Sequence, residues 1–163
     1  MRLLRESLAL AGLVFQIGAV WYFWSALPAQ VPMHFAANGA PDSYGGKSTL
    51  ILLPAIAFLI YGLLTVVSFF PQSFNYPVEV TNENRGRLQA IALALGGWLK
   101  AELTWIFAYI GWVTIRVSLG HSDGLGGAFL LLMLGGVGAT VIVALVLTFR
   151  ARKATCRPTG TGD

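Results

Sequence analysis

"TLILLPAIAFLIYGLLTVVSFF", residues 49–70, carries no charged side chain. A bilayer-spanning helix needs roughly 20 consecutive apolar residues, so this run predicts a transmembrane helix. Three more runs share its character. They are "LALAGLVFQIGAVWYFWSALP" from Leu8 to Pro28, a stretch within Leu88–Ile115, and "GAFLLLMLGGVGATVIVALVLTF" from Gly127 to Phe149. Hydrocarbon offers no partner to free backbone groups, so each is expected to be helical. The whole composition agrees: 56% hydrophobic and 11% charged, with a mean hydropathy of +0.69. Soluble domains run nearer 45–50% and about 25%. The expected fold is all-α, a polytopic four-transmembrane-helix bundle over residues 1–150. A short polar tail, 151–163, is expected to be flexible and cytoplasmic.

The first run has a basic start, Arg2 and Arg5, as a signal peptide would. Its apolar stretch is too long for that, and no A-x-A site follows. It reads as a retained span, with Trp21, Tyr22, Phe23 and Trp24 in an interfacial belt. Four spans put both termini on one side. Arg2, Arg5, Arg85, Arg87, Arg150, Arg152, Lys153 and Arg157 share that side, against Lys47 and Arg116 on the other. The positive-inside bias predicts cytoplasmic termini. It also accounts for the net charge of +4, so no nucleic-acid partner is inferred. The lone Cys156 cannot form an internal disulfide.

The third hydrophobic run is preceded by "TNEN" at 81–84, which reads as a helix start with Thr81 as N-cap and Glu83 in the first turn. Run unbroken to about Val117, that helix is about 54 Å long. It exceeds the hydrocarbon core of about 30 Å, so it is expected to extend to the cytoplasmic interface. Gly96-Gly97 is a natural place for it to bend. Lys100 and Glu102 are then expected near the inner boundary, with Lys100 or an inner-loop Arg as the mate of Glu102. An intramembrane carboxyl is a functional hypothesis by default. Gln16 is the polar residue of the first span and is expected to hydrogen-bond across helices. In the fourth span, Gly135 with Ala139 and Gly136 with Thr140 make small-xxx-small pairs. They suggest a close helix neighbour, internal or in a homo-oligomer.

The polar stretch "HFAANGAPDSYGGKS", residues 34–48, gathers His34, Asn38, Asp42 and Lys47 outside the membrane. One reading is a set of turns built by Pro32, Pro41, Gly39, Gly45 and Gly46, with an Asx turn at Asp42. A sharper reading is recognition of a peptide, lipid head group or small anion. In it Asp42 and Lys47 pair, brace the loop and turn His34 inward toward the bundle. A third reading adds His121 and Asp123, on the same side, to His34 and Asp42 as a zinc set. No metal-ligand spacing motif supports that set. In the inner loop, Tyr76, Glu83, Asn84 and Arg85 are either a cap with an interfacial Arg or a docking point for a cytoplasmic partner.

"LPAQVPMHFAANGAPDSYGGKSTLILLP" resembles the signature of a bacterial membrane family, domain of unknown function 1648. It also resembles the N-terminal part of SdpI-type immunity proteins. The matching residues are Leu27, Pro28, Pro32, His34, Phe35, Gly39, Pro41, Asp42, Tyr44, Gly45 and Lys47. "FNYPVEVTNENRGRLQ" at 74–89 is similar to the family's second block, so the likeness runs from about Leu27 to Gly120. The resemblance implies a membrane protein and brings no settled activity. Nucleophile, phosphate-loop and dinucleotide motifs are absent, and no cofactor is expected. The leading expectation is a non-enzymatic sensor, immunity or accessory protein whose partners are the bilayer and a peptide or protein. The alternatives are a membrane enzyme, metal-dependent or not, acting on a lipid or peptide at the outer surface, and a small transporter subunit.

Overall fold

A computed structural model describes residues 1–153. Cys156, Arg157 and the rest of the expected tail from residue 154 lie outside the described residues. The chain runs α1 (Arg2–Phe23), β1 (Gln30–Phe35), β2 (Pro41–Gly46), a 3-10 turn (Lys47–Ile51), α2 (Leu52–Val67), a second 3-10 turn (Pro71–Ser73), α3 (Arg85–Ser118) and α4 (Phe129–Lys153). Four helices are long and apolar enough to cross a membrane, which marks a multi-pass membrane protein. Two features differ from expectation. The helix α4 extends into the expected tail, and Ala151 is buried against Val78 and Leu88. The connection between α1 and α2 forms an antiparallel hairpin, the one β element among the described residues of a mostly helical chain.

α3 is the hub: it packs along α1, α2 and α4. Lipid is as apolar as leucine, so close approach of small residues does the holding. Gly97, Ala101, Thr104, Ala108, Gly111 and Ile115 are buried on α3, at alternating spacings of four and three, the pattern of a helix seam. Facing them are Ala9, Gly12, Leu13, Gln16 and Val20 of α1. A Cβ on Gly12 would stand 3.0 Å from Thr104 Oγ1, and one on Gly97 would stand 3.0 Å from Arg5 Nε. The close-approach seam is therefore α1–α3. A Cβ added at Gly135 or Gly136 of α4 would meet nothing within 4 Å among the described residues, so these glycines serve no close approach there, although Thr140 of one expected pair does bond to Glu102 of α3.

α3 runs unbroken through Gly96-Gly97. Its assigned start is Arg85, with Asn84 at the N-cap position. Thr81 nonetheless takes part in a reciprocal box before it. The Asn84 amide donates to Thr81 Oγ1 at 3.3 Å, and the Thr81 amide donates to Asn84 Oδ1 at 2.8 Å. This arrangement satisfies amides that the first turn leaves free.

Candidate functional site

The hairpin forms because Gly39, at φ 83°, lets the chain reverse in a conformation that L side chains avoid. The Ala36 amide donates to Ala40 O and the Gly39 amide to Ala36 O, each at 2.8 Å. Asn38 Oδ1 accepts from the Ala40 amide at 3.0 Å, an Asx turn that occupies this expected recognition residue locally. The hairpin does not float. Val31 is fully buried with Val20, Leu27, Leu50 and Ile115. At the tip, Gly39 O accepts the Leu125 amide at 2.8 Å. The α3–α4 connection is thereby clamped to the hairpin.

Pairing of His34 with Ser43 across the hairpin brings His34 beside Asp42. Nδ1 of His34 lies 2.6 Å from Asp42 Oδ1, with the two side chains 69% and 44% exposed. An ionised carboxylate only accepts, so Nδ1 carries the hydrogen and Nε2 is left free toward solvent. This geometry corrects the expected Asp42–Lys47 brace. Lys47 opens the 3-10 turn and points the other way. Its ammonium stands 5.1 Å over the Trp24 ring and donates to Trp24 O at 3.5 Å. The amphipathic lysine thus anchors the end of α1. His34 also faces out, not inward as expected.

His121 and Asp123 lie in the exposed α3–α4 connection. The His121 amide donates to Arg116 O and Arg116 donates back to His121 O, both at 2.8 Å. Among the described residues no group of three or more His, Cys, Asp or Glu gathers to hold a metal. The four residues of the zinc reading therefore do not converge.

A second polar cluster joins α1 and α2 to α3 at the ends of those helices away from the hairpin. Lys100 donates to both carboxylate oxygens of Glu6, at 2.7 and 2.8 Å, and to Thr65 Oγ1 at 3.1 Å. It stands 4.7 Å over the Tyr61 ring, and Tyr61 Oη donates to Glu6 at 3.1 Å. All three ammonium protons are directed to acceptors, which a buried lysine requires. Glu6 was not among the expected residues. Its only signal is one carboxylate in a basic N-terminal stretch. Glu102 is not the mate of Lys100. Two positions apart on a helix, their side chains point to different sides. Glu102 instead accepts from Thr140 Oγ1 near the middle of α4, and its Oε2 is buried with no hydrogen-bond partner. Gln16 bridges helices as expected, donating to Phe107 O at 3.1 Å.

In the α2–α3 connection, Asn84 is buried and its side chain also donates to Glu79 O at 3.0 Å. Glu83 and Arg85 are exposed. Tyr76 donates to Pro71 O at 3.3 Å, and burial raises its phenol above the ordinary tyrosine range. Asn84 and Tyr76 thus serve the loop's own structure, and Glu83 and Arg85 keep free faces.

Residues 11–58 match the model of a family described as Domain of unknown function (DUF1648). The segment takes in most of α1, the whole hairpin and the first part of α2, so the His34–Asp42 pair lies inside it. An uncharacterized protein of Archaeoglobus fulgidus is 32% identical over 78 residues, covering 40% of this chain and 43% of the relative. The chain thus spans less than half the length of that relative. No solved structure matches.

Proposed function

We propose that this chain is a non-enzymatic integral membrane protein, of the sensor, immunity or accessory class, that recognises an extracytoplasmic peptide or protein through its hairpin. The observation that carries this reading is the His34–Asp42 pair. It is oriented by the hairpin register, clamped to the bundle and left exposed. A structural pair gains little from exposure. A recognition pair needs it, because Nε2 must be free to meet a partner. Exposed Met33 and Tyr44 flank it with apolar surface, the mixture that protein-binding patches favour. The hairpin faces outward in this reading, with both termini in the cytoplasm.

Two measurements test it. Single cysteines at Ser43 and Ser73, after Cys156→Ser, are expected to label from opposite sides of the membrane. A photo-crosslinker at Tyr44 in intact cells is expected to capture one discrete partner, lost in His34→Ala and Asp42→Asn. Labelling of both cysteines from one side, or a crosslink unchanged by both substitutions, overturns the reading. Stoichiometric zinc lost on His34→Ala and His121→Ala would instead favour the metal-dependent alternative.

A further inference from the structure

The carboxyl of Glu102 is half provided for. Its Oε1 accepts from Thr140, and its Oε2 is out of contact with solvent and meets no donor. An acceptor removed from water without a donor is costly. Among the described residues none is supplied nearby. Lys100 is engaged by Glu6 on another face of α3. The other charged residue lining the adjoining groove is Arg87, fifteen positions down the helix, about 22 Å away at 1.5 Å per residue.

Two grooves between α3 and α4 meet at Glu102. One has a volume of about 620 Å³ and is lined mainly by apolar residues, Ala94 and Trp98 among them. The other has about 260 Å³ and is lined by Trp105, Tyr109 and Phe129. The Glu102 side chain lines both grooves, with Trp98 in one and Trp105, Tyr109 and Phe129 in the other, and a carboxyl among aromatic residues is complementary to a cation that carries N–H groups. The apolar length of the larger groove is complementary to a hydrocarbon tail. An acyl chain alone brings the carboxyl no donor, and an anionic head group brings it only further acceptors.

We propose that the α3–α4 groove binds an amphiphile bearing a protonated amine, with the ammonium on Glu102 and the tail along Ala94 and Trp98. This site lies apart from the hairpin and does not depend on its role.

The test is calorimetric titration of the full chain in neutral-detergent micelles with octylammonium, the heat of partition into empty micelles being subtracted. One saturable site per chain is expected, with no saturable site for octanol or octanoate. Glu102→Gln keeps the shape and is expected to weaken binding at least tenfold. Ala94→Trp fills the larger groove, leaves the carboxyl untouched and is expected to do the same. Retained binding in Ala94→Trp, unchanged affinity in Glu102→Gln, equal binding of octanoate, or no saturable site in the wild type each overturns the proposal. If Glu102→Gln fails to fold, Ala94→Trp decides alone. Disulfide trapping at Val143→Cys into α4–α4 dimers that bind no octylammonium would identify a second copy as the cover of Glu102 and likewise overturn it.

Discussion

Lys100 of α3 and Glu6 of α1, ninety-four positions apart, form a two-pronged ion pair at 2.7 and 2.8 Å. The lysine side chain is 3% exposed and the carboxylate side chain 29%. The pair is therefore asymmetric. Removing the carboxylate leaves a buried ammonium facing only Thr65 and the Tyr61 ring. Removing the ammonium leaves a carboxylate that still reaches water and keeps Tyr61 Oη.

Glu6→Leu is accordingly expected to cost about 3–5 kcal/mol, the range for stranding a buried charge. Lys100→Met is expected to cost less, about 1–3 kcal/mol. The double variant should recover part of the loss. Unfolding midpoints in mixed detergent, read as a cycle, check this. Equal single costs with full additivity would mean that the two residues act independently.

Asp42 and Lys47 do not meet, whereas Asp42 and His34 do. Asp42→Asn combined with Lys47→Met should be additive within about 0.3–0.5 kcal/mol. Asp42→Asn with His34→Ala should couple, by no more than about 1 kcal/mol given their exposure. A coupling between Asp42 and Lys47 larger than that of the His34 pair would contradict the hairpin register.

Gly39 combines a φ of 83° with a would-be Cβ 2.9 Å from the Gly126 backbone. Gly39→Ala is expected to loosen the α3–α4 connection from the hairpin tip. Its readout is the Leu125 amide, which donates to Gly39 O and should exchange with deuterium about tenfold faster, as a local opening. Gly46→Ala is the control. Its Cβ would meet nothing closer than Ser48 Oγ at 3.7 Å. The same exchange rate in all three proteins would show that the tip contact is not formed in the membrane.

Gly12 and Gly18 lie on one helix and differ in what they face. A Cβ at Gly12 runs into Thr104, and one at Gly18 meets nothing within 4 Å. Gly12→Ala should destabilise by about 1–3 kcal/mol through overpacking. Gly18→Ala should be neutral or stabilise by up to about 1 kcal/mol through helix propensity. Thermal unfolding in detergent distinguishes them, and a harmless Gly12→Ala would remove the α1–α3 seam as the basis of the packing.

The spans were legible because hydropathy is a local sum: "TLILLPAIAFLIYGLLTVVSFF" needs no neighbour to read as a membrane helix. The long α3 and the helix-bridging Gln16 were legible for the same reason, each resting on a few adjacent residues or one buried amide, whereas the N-cap falls on Asn84, three residues past the expected Thr81. The hairpin was not legible. "QVPMHF" and "PDSYGG" are short, and their prolines and glycines have equal use in turns. Only the burial of Val31 under α1 and α3 and the bond from Leu125 to Gly39 make strands of them. Which charge meets which was decided by tertiary structure alone. A helix turns its side chains by 100° per residue, so Lys100 and Glu102, near-neighbours in sequence, face different helices. The partners, Glu6 and Thr140, follow from the rotation and depth at which α1 and α4 pack against α3. Hydropathy measures how apolar a helix is. The azimuth of a charge on its helix, and what stands opposite it, exist only once the helices have met.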